Sequence, residues 1–190
     1  MRVLALTIAI ASALAGCGSD DNTVTSGFPG VIISPVRSSI SAAVTFTDSS
    51  NVQHPQWVVA MTDAPNLCTK VTANPAYFQT ATENFSAILF WFIPSQVGAF
   101  FIGTFQGPSS NNTEVVLGST PAGGTPAIFK FSGVTGFNGE IVVSQFNTGV
   151  GGEAIGNFDV VVADGNGFPR ELFGKFKATY CTGFEQAQLP

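Results

Sequence analysis

Three cysteines hold most of the reactive chemistry in this chain. Cys17 ends an apolar run, while Cys68 and Cys181 lie far apart in the body of the sequence. A thiol can serve as nucleophile, metal ligand, modification site or half of a disulfide. Zinc needs several His or Cys at set spacings, and His54, within Asn51-Val52-Gln53-His54-Pro55-Gln56, is the chain's one histidine. A single loop-like His reads as a surface residue rather than a base or ligand. No Gly-x-Ser-x-Gly elbow occurs, and no Gly-rich loop leads into a helix to cradle phosphate. Asp164-Gly165-Asn166-Gly167 starts like a calcium loop but lacks the third ligand spacing and the closing Glu, so it reads as a turn. Asp48, Asp63 and Asp159 read as turn caps or solvated acids, and a glycosidase would need a matched carboxylate pair. The expectation is no catalytic residue, no metal and no cofactor.

The residues around Cys17 point elsewhere. Arg2 precedes Val3 to Leu14, twelve residues without charge. That is too short for a ~30 Å hydrocarbon core, which takes about 20 residues. A basic start, a short apolar core and small residues at its end form a secretory signal. Leu14-Ala15-Gly16-Cys17 resembles the lipobox of bacterial lipoproteins. The resemblance implies a signal peptide over residues 1–16, cleavage between Gly16 and Cys17, and acylation of Cys17. One acyl chain anchors weakly, whereas two or more anchor stably, so Cys17 would hold the protein on a membrane. Gly18 stands where an Asp would retain such a lipoprotein on the inner membrane, which favours the outer membrane.

The rest of the composition bounds the fold. The 190 residues are 45% hydrophobic and 10% charged, with 18 Phe and 21 Gly, where typical domains carry about 25% charge. This is not a disordered composition, and Phe, Val, Thr and Gly in excess of Lys and Glu favour strands. The formal charge is −5, and without a basic cluster such a surface repels nucleic acid.

Residues 17–36 read as the lipidated cysteine and a flexible tether, rich in Gly, Ser, Asp, Asn and Pro. A coil of that length reaches roughly 25 Å. Val31-Ile32-Ile33 is the exception, able to pack on the domain or join a sheet edge. From 37 to 183 nearly every segment reads as strand, with turn residues between, giving an antiparallel barrel or sandwich of about eight or nine strands. Residues 63–73 suggest one short helix, with Thr62 or Asp63 as N-cap and Pro65 in its first turn. Residues 184–190 read as a tail. Ile155-Gly156-Asn157-Phe158-Asp159 and Phe173-Gly174-Lys175-Phe176-Lys177 echo each other across a hairpin turn at Asp164–Gly167. In an oxidising compartment the remaining even pair, Cys68 and Cys181, suggests a disulfide. Closing a loop of about 100 residues is worth up to about 4.7 kcal/mol in the chain-entropy model.

The whole pattern resembles a family of uncharacterised lipoproteins of Gram-negative bacteria. It rests on Thr62-Asp63-Ala64-Pro65-Asn66-Leu67-Cys68, Gly156-Asn157-Phe158-Asp159 and Gly174-Lys175-Phe176 through Tyr180-Cys181. The resemblance spans about residues 56–181 and supports the all-β fold and the bridge. It brings no activity. This chain departs from it in its very apolar central strands. In Ile88-Leu89-Phe90-Trp91-Phe92-Ile93 both strand faces are apolar. Either the short helix covers the second face, or Phe90, Trp91 and Phe92 form an apolar binding surface. The expected function is a non-catalytic binding or structural module of the envelope. Its expected partners are the membrane through Cys17 and an apolar ligand or envelope protein. A lipocalin-like carrier and an envelope hydrolase are the alternatives.

Overall fold

The computed structural model describes residues 21–47, 50–94, 96–102, 112–120, 127–131, 139–147, 149–164 and 166–188. Leu14 to Cys17, Asp48 and Gly165 lie outside them, as does the side chain of Phe92. The chain is all-β with short helices. Its strands are β1 (Thr23–Ser26), β2 (Ser38–Thr47), β3 (Gln53–Thr62), β4 (Phe85–Pro94), β5 (Gly98–Ile102), β6 (Asn112–Thr120), β7 (Ala127–Phe131), β8 (Gly139–Phe146), β9 (Glu153–Ala163) and β10 (Pro169–Tyr180). Between β3 and β4 come α1 (Leu67–Ala73) and α2 (Tyr77–Thr80), and a 3-10 turn, Phe184–Gln186, follows β10.

The strands form one sheet in the order β1-β10-β2-β3-β4-β6-β5-β8-β9. Because β9 also pairs with β10, eight of them close a hydrogen-bonded ring, with β1 added to β10 and β7 to β6. Most pairs are antiparallel, as the short connections require. Two are parallel, β10 with β2 and β5 with β6, and each spans two residue pairs. The first needs no crossover helix because nearly the whole chain separates its two strands.

Alternation sorts the side chains into two clusters. Trp57, Val59 and Met61 of β3 join Ile88 and Phe90 of β4, Val115 and Leu117 of β6, Phe100 of β5, Ile141 and Val143 of β8, Phe158 and Val160 of β9, and Leu172 and Phe176 of β10. These point into the ring. The other face of β2, β3, β4 and β6 supplies Ile40, Ala42, Val58, Ala60, Ala87, Leu89 and Val116 to a second cluster. Leu67 and Val71 of α1, Tyr77 and Phe78 of α2, and Phe184 complete it from above. The double apolar face of β4 is thus explained by helix cover.

The flexible-tether expectation fails for residues 21–36. Thr23–Ser26 pair with Leu172–Lys175, and Val24, Phe28, Val31 and Ile33 are buried in the inner cluster. The Gly27 N–H donates to the Glu171 carbonyl (2.8 Å), and that of Ile32 to the Ser86 hydroxyl (3.3 Å). Residues 28–33 therefore lie at the ring end where β10 and β4 begin. Apolar residues spaced through this polar stretch gain more by burial than the Gly and Pro cost in order. The C-terminal tail is corrected likewise: Phe184 is fully buried, and the Gln188 N–H donates to the Pro75 carbonyl (2.7 Å).

The helix starts later than expected. Asn66, in the left-handed conformation (φ 58°), is its N-cap, with no side-chain cap bond. Thr62 and Asp63 instead fasten the chain to β4. The Thr62 hydroxyl donates to the Ser86 carbonyl (2.7 Å), and the Asp63 carboxylate accepts the Ser86 N–H (2.7 Å). Pro65 lies in the turn before α1, and α2 resumes just past Asn74-Pro75.

Candidate functional site

Cys68 and Cys181 form a disulfide, with Cα atoms 5.6 Å apart across a sequence separation of 113. It joins α1 to the end of β10, stapling the helical cover to the ring. The Cys181 N–H donates to the Ser41 carbonyl of β2 (2.8 Å), and the Thr72 hydroxyl to the Thr182 carbonyl (3.1 Å). Gly183, at φ 97°, makes the turn into Phe184, and a side chain there would press on Thr72.

Of the apolar surface expected at Phe90, Trp91 and Phe92, the first two residues turn to opposite faces, and the Phe92 side chain lies outside the described residues. Phe90 is fully buried and meets the Phe158 ring inside the molecule at 4.8 Å. A register shift between Trp57 and Val59 lets Phe90 and Ile93 of β4 both enter the inner cluster. Trp91 points the other way, half-buried against the outer cluster. His54 is half-buried within β3, opposite Phe46.

Asp164 and Glu83 have structural partners. Asp164 accepts the N–H of Asn166 (2.9 Å) and of Phe168 (3.1 Å) and two guanidinium bonds from Arg170 (2.9 and 2.7 Å). Its carboxylate is occupied in closing the β9–β10 hairpin, and the Arg170 bonds hold it below the usual carboxylate range. Glu83, which no sequence motif marks, accepts Lys70 through both oxygens (2.7 Å each) and the Tyr77 hydroxyl (2.8 Å). The Lys70 bonds lower the Glu83 pKa, while burial and then Glu83 push the Tyr77 hydroxyl upward. This triad ties α1 and α2 together. Among the described residues, no group of three or more His, Cys, Asp or Glu is placed to hold a metal ion.

The face opposite the helices is different. Outward residues of β8, β9 and β10 form cross-strand rows, with Phe173 beside Asp159 and Asp159 beside Glu140. Lys175 stands beside Asn157 and, on β1, beside Thr23. Phe173 is 42% exposed and Phe101, across from Glu140, is 59% exposed. Glu140 and Asp159 are thus two facing carboxylates, but both are exposed on an open sheet. A shallow groove of about 600 Å³ runs beside them over Gly174, lined by Thr23, Phe173 and Lys175 among others.

The echoed pentapeptides lock the β9–β10 hairpin from the inside. Gly174 pairs with Phe158, and Phe176 pairs with Gly156. Each glycine therefore sits under the phenylalanine of the other copy, an aromatic ring covering a residue without a side chain. A Cβ on Gly156 would collide with the Val142 carbonyl and the Phe176 ring, and one on Gly174 with the Thr23 carbonyl. The echo signals this arrangement in the sequence, but the reciprocity needs the hairpin register. No protein-family model, no curated protein and no solved structure matches the chain.

Proposed function

We propose that the chain is a lipid-anchored protein of the cell envelope, exported under its signal peptide and held on the outer membrane through Cys17. There it works as a non-catalytic binding or structural module. The observation that carries this reading over the carrier is the filled ring. Trp57, Phe90, Phe100, Phe158 and Phe176 are each 2% exposed or less. Trp57 packs on Phe146 at 4.1 Å, so large aromatics occupy the space in which a lipocalin-like carrier would hold its ligand. A hydrolase would place its acid where burial tunes its pKa, whereas Glu140 and Asp159 face open solvent. The anchor rests on Leu14-Ala15-Gly16-Cys17 and on resemblance to uncharacterised envelope lipoproteins. Native mass spectrometry of the detergent-extracted protein tests both parts. The expected species begins at Cys17, carries acyl mass, and lacks a small apolar adduct. A stoichiometric apolar ligand supports the carrier instead. A chain without acyl mass, or palmitate label that persists in Cys17→Ser, overturns the anchor.

A further inference from the structure

We propose that the ring end formed by the β2–β3, β4–β5 and β8–β9 loops rests in the headgroup layer of a lipid bilayer; the proposal builds on the Cys17 anchor. Register brings the three loops together. Pro94 stands opposite Gln56, so the chain leaves β4 beside the start of β3. Gly98 stands opposite Val143, three residues before the end of β8, where the Phe146 ring meets Trp57 of β3 at 4.1 Å. Each loop exposes a valine: Val52 is 50%, Val97 59% and Val150 89% exposed. Residues 49–53, 94–98 and 144–152 contain no Asp, Glu, Lys or Arg. Glu153, just behind them, lies 3.5 Å from Lys177. The other ring end, where β2 and β10 begin, carries Arg37, Asp63 and the Asp164–Arg170 ion pair.

An uncharged end with apolar tips suits a bilayer surface. The valine side chains gain by entering the boundary between headgroups and acyl chains. The Ser, Asn and Gln side chains and the loop amides stay among hydrated headgroups, since unpaired backbone is excluded from hydrocarbon. The chain also enters the fold beside this end. The Asn22 side-chain oxygen accepts the Lys177 N–H (2.7 Å), and three residues on, the Tyr180 N–H donates to the Gly152 carbonyl of the β8–β9 loop (2.9 Å). β1 runs away from that loop, from Thr23 opposite Lys175 to Ser26 opposite Leu172. Cys17 is five Cα steps before Asn22, at most about 18 Å. Helix α1, bridged to Cys181, is within the same reach, so reach does not select between them. Surface chemistry does. The helical side carries the Lys70–Glu83 ion pair and exposed Glu185, charges that resist dehydration, whereas the described loop residues carry none. Anionic lipid is not required.

The test uses acylated full-length protein on phosphatidylcholine vesicles containing a nitroxide-headgroup lipid. With Cys17 acylated and Cys68 bridged to Cys181, an added cysteine is the single free thiol. A fluorophore is placed at Asn147→Cys, on this end, or at Asn166→Cys in the β9–β10 turn. The eleven residues of β9, about 36 Å, separate the two positions. Quenching at 147 is expected to exceed that at 166 at least threefold, and replacing Val52, Val97 and Val150 together by Ser should bring the ratio close to one. Equal or reversed quenching in a floating protein overturns the docking while leaving the anchor intact. A ratio unmoved by the three serines overturns the valines as the contact. A protein that does not float with the vesicles overturns the anchor and the docking with it.

Discussion

The two outer faces of the ring are built to opposite rules. On β2, β3, β4 and β6 the outward residues are apolar, with Ala42, Ala60 and Ala87 below 1% exposed among larger Ile40, Val58, Leu89 and Val116, and helices close over them. On β8, β9 and β10 the outward residues mix charged and polar side chains with Ile155, Val161 and Phe173, and none of the described helices covers them. The first face works as a second core, the second as a surface. The difference lies in one strand-face pattern, since both faces belong to the same sheet.

Two phenylalanines near the C-terminus separate these roles most widely. Phe184→Ala, under the helical cover, should cost about 3–5 kcal/mol in denaturant unfolding, because it leaves a cavity beside Phe78 (ring centroids 6.2 Å apart). Phe173→Ala on the open face should stay within about 0.5 kcal/mol. Similar losses at both sites would erase the contrast. Next comes the staple: replacing Cys68 and Cys181 together by Ser should lower stability by about 2–5 kcal/mol, and hydrogen exchange should rise in α1 before it rises in β8 and β9. On the open side the sensitive positions are the glycines. Gly156→Ala should cost about 1–3 kcal/mol through overpacking, whereas its exposed neighbour Asn157→Ala should be near neutral. The smallest effect is a pH dependence. Asp164 titrates below its ordinary value near 3.9, so its contribution is complete above that pH and lost as pH falls through the folded value. The Asn166 and Phe168 amide resonances should move through that acid window in the wild type. They should stay still in Asp164→Asn.

Much of the fold is legible in the sequence itself. The run Ser38–Thr47 and the run Gly139–Phe146 are strands over the limits that alternation and turn residues set, and the hairpin at Asp164 follows from its turn chemistry. The Cys68–Cys181 disulfide is the pairing that parity and an expected oxidising compartment suggest. The opposite fates of Phe90 and Trp91 do not follow, because alternation alone cannot say which apolar face meets a helix and which meets the ring interior. A β-bulge then sends Ile93 inward out of step. Residues 21–36 escape the sequence for another reason. Val24, Phe28, Val31 and Ile33 are too sparse for a periodic signal, and their partners on β10 and in the ring lie more than one hundred residues away or on several strands at once. Only the closed ring creates the end that they fill.

The central claim is that residues 21–36 belong to the core rather than to a free arm. Amide hydrogen exchange tests it directly. The N–H groups of Gly27, Ile32 and Arg37, which donate to Glu171, Ser86 and Thr62, should be protected to nearly the same degree as the amides of β10. Random-coil exchange through residue 36, with β10 still protected, would contradict the account and restore a long free arm.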